Sequence, residues 1–253
     1  MLTATGLGLA GIVALAFTIE AALGFGATVV TVALGSMLLP LDTILPAFVP
    51  CNVLLSGYLV TRYRTAVDLR LVARRVFPPV LLAMPLGMLA FARLDERTLK
   101  IAFGAFVVLL ATAELLGDRG AASGRKARPL GRLAALAMLA TGGVVHGAFG
   151  TGGPMVVYVL GRELGSDKAR FRATLSVIWL VLNAVLVASY AVGGHLDAAS
   201  LTTTAWLALP LLGGMVAGEW IHGRIPAASF RVAVFALLGL VGAVLVVRNL
   251  AGA

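Results

Sequence analysis

Residues 147–161, "GAFGTGGPMVVYVLG", decide how this chain folds. A glycine pair followed by proline is a poor way to continue a helix. Glycine costs about 1 kcal/mol and proline about 3 kcal/mol relative to alanine in a helix interior. Proline does suit the first turn of a new helix, where its missing N–H is not needed. The run therefore reads as a helix that stops and a second that starts. A weaker echo, "LGFGATVVTVALG", stands at residues 23–35.

Both runs sit in a chain that is almost all hydrocarbon. Of 253 residues, 60% are hydrophobic and 12% charged, against roughly 25% charged in an ordinary soluble domain. Apolar stretches near 3–23, 44–61, 76–92, 99–116, 131–149, 173–192, 203–221 and 229–247 each approach the ~20 residues a helix needs to cross a bilayer. Segments 27–39 and 152–161 are too short to cross comfortably. No period-2 alternation of the β-barrel kind appears. The expected fold is an all-α polytopic protein of the cell inner or plasma membrane. The net charge of +9 fits basic cytoplasmic loops beside apolar helices better than nucleic acid, which is not expected as a partner. Membrane lipid is. Cys51, the only cysteine, allows no internal disulfide or multi-cysteine metal site. The apolar N-terminal run has no basic residue before it and reads as a retained helix.

Sixteen of the twenty Lys and Arg residues fall in four clusters, at 62–75, 119–132, 162–172 and 224–231. Placing all four in the cytoplasm lets the helices between them alternate and puts both chain ends outside. The polar stretch "GDRGAASGRKARPLGR", 117–132, divides the chain into similar halves. The expected organisation is a first membrane repeat at 1–117, a cytoplasmic linker at 118–130 and a second repeat at 131–253. Shifting one half by 124 places Phe25-Gly26 on Phe149-Gly150, and "AMPLG" at 83–87 meets "ALPLLG" at 208–213. By the charge sorting, the 37–48 connection is outside and its counterpart 161–172 inside. The halves are thus expected to be inverted repeats, each an interrupted helix hairpin plus three transmembrane helices. That is a recurrent plan for secondary transporters, which bind near the bilayer midplane.

A break inside hydrocarbon leaves backbone groups unpaired, so it must be buried in protein or line a wet cavity. Thr151 or Gly152 can cap the helix that starts near Pro154, and Thr28 can do likewise in the first half. Glycine at 24, 26, 150, 152 and 153 permits positive φ and close approach of a ligand. The restarted helices offer free N–H donors and the positive end of a helix dipole, an anion site. Gly142, Gly143 and Gly147 read instead as packing residues.

Among polar residues in the apolar segments, Glu20 and His146 each precede a break by about one helical turn. An ionisable group at bilayer depth costs at least ~2.5 kcal/mol on insertion scales. Two readings are open: exchange of a proton or cation during transport, or structural bonds, with Glu20 capping loose backbone groups and His146 bonding a carbonyl. Asn52 and Ser56 share one helical face, and Ser176, Trp179 and Asn183 another. Such faces can line a cavity or join helices. Pro46 and Pro50 are expected to kink their helix, and Arg170 and Arg172 to belong to the cytoplasmic cluster.

The runs "GFGATVV" and "GAFGTGGPMVV", with the faint duplication and the chain length, resemble the TauE/SafE family of membrane permeases. The resemblance spans essentially the whole chain and implies a transporter of sulfite, sulfonates or related small anions. The substrate-binding set expected is Gly26, Ala27, Thr28, Asn52, Gly150, Thr151, Gly152, Gly153, Pro154, Ser176 and Asn183. Glu20 and His146 are the coupling candidates. No catalytic residue, metal or cofactor is expected, beyond H+ or Na+ as a coupling ion. The rival readings are a membrane scaffold without transport and an intramembrane enzyme using Glu20 and His146.

Overall fold

A computed structural model describes residues 3–23, 26–121, 130–164, 167–222, 224 and 227–251. Gly24, Phe25 and most of the linker, 122–129, lie outside the described residues. Those described form helices and no strand: α1 (Ala4–Leu23), α2 (Ala27–Gly35), α3 (Leu41–Tyr63), α4 (Leu69–Leu71), α5 (Phe77–Arg93), α6 (Glu96–Ala121), α7 (Arg132–Phe149), α8 (Gly153–Leu164), α9 (Lys168–Val192), α10 (Ala198–His222) and α11 (Ala227–Ala251). A π-helical stretch, Val72–Val76, joins α4 to α5. Eight helices are long and apolar enough to cross a membrane. Their outward side chains, Leu54, Leu82, Leu109, Leu209 and Leu240 among them, form a surface that suits lipid rather than water.

The chain gathers into two compact units. One comprises Met1–Ile44, Leu94–Lys126 and Ala205–Ala253; the other comprises Leu45–Arg93 and Ala127–Thr204. Each draws helices from both halves of the sequence.

In the first unit α2 folds back on α1. Gly26 lies beside Ile19, while Leu38, just past α2, reaches Gly8, where a Cβ would meet its Cδ1 at 3.1 Å. α1 and α10 run side by side in the same direction, because Gly214 packs on the Ala14 carbonyl and Gly218 on that of Thr18. α6 and α11 run in opposite directions. Gly104 and Gly242 face each other's carbonyl oxygens, Gly239 meets Ala111, and Arg97 at the start of α6 donates to the Asn249 and Leu250 carbonyls at the end of α11.

The second unit repeats the scheme. α8 folds back on α7, with Met155 and Val156 against Gly142. α5 and α7 run parallel, and Gly143 and Gly147 seat on the Val80 and Met84 carbonyls at 2.3 and 2.1 Å from where a Cβ would stand. That contact confirms Gly142, Gly143 and Gly147 as packing residues. No side chain larger than hydrogen fits there without moving backbone. Pro46 and Pro50 lie inside α3. Beside them the Ala47 carbonyl accepts from the Thr204 hydroxyl at 2.7 Å.

Candidate functional site

Five helices here begin conventionally. Thr3 accepts from the Gly6 N–H at the start of α1, and Asp68, Asp95, Asp167 and Asp197 each accept the N–H three residues on. These side chains satisfy donors that a helix start leaves unmatched. The aspartates outside the membrane spans respond as expected. The Leu71 N–H, then Arg170, holds Asp68 below the usual carboxylate range, as Thr98 does for Asp95 and Ser200 for Asp197. The two short helices are different. Each begins on a glycine and borrows its cap from the helix before the break.

In the second unit α7 ends on Gly150, whose φ of 65° is left-handed and whose N–H bonds the His146 carbonyl at 2.7 Å. Thr151 is buried, Gly152 takes the N-cap position, and the Val156 N–H reaches back to its carbonyl. The Gly152 N–H donates to His146 Nδ1 at 3.2 Å. His146 therefore accepts from an N–H through Nδ1, a bond that neither of the two readings left open in the sequence named. A ring that accepts through Nδ1 carries its proton on Nε2. Nε2 is buried and has no hydrogen-bond partner among the described residues. The Trp179 ring stacks on the imidazole, centroids 6.0 Å apart and planes 10° from parallel. Its edge also lies 3.8 Å from where a Gly153 Cβ would stand. Pro154 is the second residue of α8, so the N–H groups of Gly153 and Met155 are the donors left at this tip.

In the first unit Gly26 is the N-cap of α2, left-handed at φ 112°. This corrects the expectation for Thr28, which lies one residue inside the helix, where its side chain cannot take the cap position. The cap comes from Glu20, whose Oε2 accepts the Ala27 N–H at 2.9 Å. A small apolar cleft lined by Ile19, Gly26, Val29, Val30, Leu110, Val234, Phe235 and Leu238 opens beside it. Positive φ is thus realised at Gly26 and Gly150. Gly152 is required for a different reason, since a Cβ there would stand 2.2 Å from the Gly142 carbonyl oxygen.

A sequence comparison gives the family of this chain. The family model for the sulfite exporter TauE/SafE covers residues 9–245. This chain belongs to the TauE/SafE family. Over 98 residues it is also 37% identical to the "Probable inner membrane transporter protein TsaS" of Comamonas testosteroni, covering 38% of this chain and 40% of that relative. The chain thus spans well under half the length of that relative. No solved structure matches it. It is a multi-pass membrane protein.

Around the α8 tip of this TauE/SafE chain the structure assembles Gly150, Thr151, Gly152, Gly153, Pro154, His146 and Trp179. Ser176 and Asn183 lie on the same face of α9, a turn either side of Trp179, and both are buried. The Asn183 Oδ1 has no hydrogen-bond partner in the protein, while the Ser176 hydroxyl donates to the Arg172 carbonyl of its own helix at 2.9 Å. Asn52 is buried on α3. Gly26, Ala27, Thr28 and Glu20 belong to the first unit.

The sequence placed Trp179 on one face with Ser176 and Asn183, but not its stacking on His146. It also missed the ion pairs. Arg170 pairs with Asp68, Arg75 holds both Glu163 oxygens at 2.8–2.9 Å, and Arg172 lies over the Tyr63 ring.

Proposed function

We propose that this chain is a secondary transporter for a small organic or sulfur-containing anion such as sulfite or a sulfonate. It works by alternating access between two inverted repeats, with the anion held by backbone donors at the tips of α2 and α8 near the bilayer midplane. One observation carries the reading: both breaks restart as helices on glycine, within helices that otherwise suit lipid, and their first N–H groups draw on side chains of the preceding helix where hydrocarbon offers no partner. Family membership supports the substrate class. The inverted repeat is supported by matching contacts in the two units. The first helix of each half packs in parallel, through glycine, on the third long span of the other half: α1 on α10 and α7 on α5.

A thermal-shift screen of sulfite, thiosulfate, sulfoacetate, taurine and simple carboxylates tests it. A bound anion raises apparent stability by mass action, about 2.7 kcal/mol at a hundred times Kd. Gly153→Leu is the informative variant. A Cβ at Gly153 meets only the edge of Trp179, so the chain folds while the tip is covered, and stabilisation by the anion disappears. Stabilisation that survives unchanged moves the site away from α8. A scaffold would show no anion response in either protein.

A further inference from the structure

We infer that Glu20 is the proton-exchanging group of the transporter, and that its carboxylate is a built-in competitor of the substrate anion for the Ala27 N–H. This deepens the transport reading above and rests on it. The two tips are closed by groups of different charge. At α8 the cap is the imidazole nitrogen of His146, neutral while it accepts, and almost fully buried. At α2 it is a carboxylate oxygen at 2.9 Å from the Ala27 nitrogen, on a half-buried side chain. An ionised Glu20 already supplies the negative charge that the positive end of α2 attracts. A substrate anion can take the same donor only when that charge is removed.

The step balances simply. The carboxylate takes one proton from hydronium on the entry side, releasing water, and becomes a carboxylic acid, the Ala27 N–H changes acceptor from Glu20 to a sulfonate oxygen, and both events reverse on release. No electron moves. One proton travels with one anion.

Among the described residues, the charges on the elements around this exchange can be named. α2 carries no ionisable residue, and α11 none between Val232 and Val247. On α6, Glu114 stands one turn beyond Leu110, which lines the same cleft as Gly26. On α10, Glu219 follows Gly218, which packs on Thr18, and is exposed. The cleft itself is apolar, with Ile19, Val29, Val30, Leu110, Phe235 and Leu238 around Gly26.

The test uses the full chain in proteoliposomes and labelled methanesulfonate, which stays ionised at every pH used. With the membrane potential clamped at zero, an exterior one pH unit more acidic drives up to about tenfold accumulation for one-proton coupling. Glu20→Gln keeps an oxygen for the Ala27 N–H and loses the proton. It is expected to exchange internal for external methanesulfonate while accumulating none. Accumulation by Glu20→Gln to the wild-type ratio, or a wild-type ratio indifferent to the pH gradient, overturns the inference and leaves the transport reading standing. Failure of the wild type to take up methanesulfonate, sulfoacetate and sulfite alike overturns both. Should Glu20→Gln not fold, Glu20→Asp and the infrared carboxyl band decide. Adding methanesulfonate to wild type should raise the protonated-carboxyl band, and Glu20→Asp should shift it; a spectrum without that band refutes the role.

Discussion

Gly213 and Gly214 are adjacent on α10 and differ in what surrounds them. Nothing lies within 4 Å of where a Cβ at Gly213 would stand, whereas one at Gly214 would be 2.3 Å from the Ala14 carbonyl oxygen. Gly213→Ala is expected to stabilise by about 0.5–1 kcal/mol, the helix cost of glycine. Gly214→Ala is expected to destabilise by about 1–3 kcal/mol through overpacking. Thermal unfolding in detergent checks both, and equal shifts of the same sign would show that α1 and α10 do not approach as described. The sequence displayed both glycines but not this difference, because the deciding atom belongs to a helix some two hundred positions away. Gly150 was more legible. A glycine ending an apolar helix just before Thr-Gly-Gly-Pro is a local signal, and the left-handed φ of 65° answers it.

The short helices show how an element's start can depend on its predecessor. An N-cap search looks for Ser, Thr, Asp or Asn beside the first turn, and it correctly points to Asp95, Asp167 and Asp197. At α8 it allows Gly152, which holds the N-cap position, and at α2 it names Thr28, which does not; at both, the capping side-chain atoms come from Glu20 and His146, seven and six residues upstream of the donors they satisfy. The breaks were visible in the sequence; the caps required the fold-back. His146→Ala leaves the buried Gly152 N–H without its acceptor, a loss of about 1–3 kcal/mol. Hydrogen exchange across residues 150–156 is expected to accelerate more than elsewhere in α7, with His146→Gln in between; a uniform increase would argue against a cap. At the other end of the unit, Asp68 caps α4 and pairs with Arg170 of α9. Its folded pKa lies below the unfolded value of about 3.9. Its contribution is therefore complete above pH ~4 and lost as pH falls through the lower folded value. Asp68→Asn should flatten that acid limb of the stability profile while leaving the slope near neutrality unchanged.

Across the whole molecule, contacts within the units bring together segments that the sorting of basic residues assigns to one side. Segments 62–75 and 162–172, both assigned to the cytoplasm, meet through Arg75–Glu163 and Asp68–Arg170. The 93–97 turn meets the C-terminal end of α11 through Arg97, and Phe91 meets His195, joining segments assigned outside. Helix directions agree as well. With each short helix returning, the long helices alternate so that α1 and α10 run parallel and α6 and α11 antiparallel. Were α8 to continue α7, α6 and α11 would run the same way, against the contacts of Gly104 with Gly242 and Arg97 with Asn249. What no sequence pattern revealed is that each compact unit mixes the halves, because packing partners are chosen by surface fit rather than chain order. In the proposed inverted repeat, five elements per half, counting each short helix as a return, would make the second half enter from the opposite face, so the loops after α2 and α8 are expected to open to opposite sides. Single cysteines test this without altering Cys51, which is 1% exposed. Leu38→Cys, after α2, is expected to react in intact cells with a membrane-impermeant maleimide, and Ala169→Cys, after α8, only once the membrane is permeabilised. The opposite labelling would reverse the sidedness and keep the inversion. Labelling of both from one side would end it, since the two returning helices would then enter from the same face.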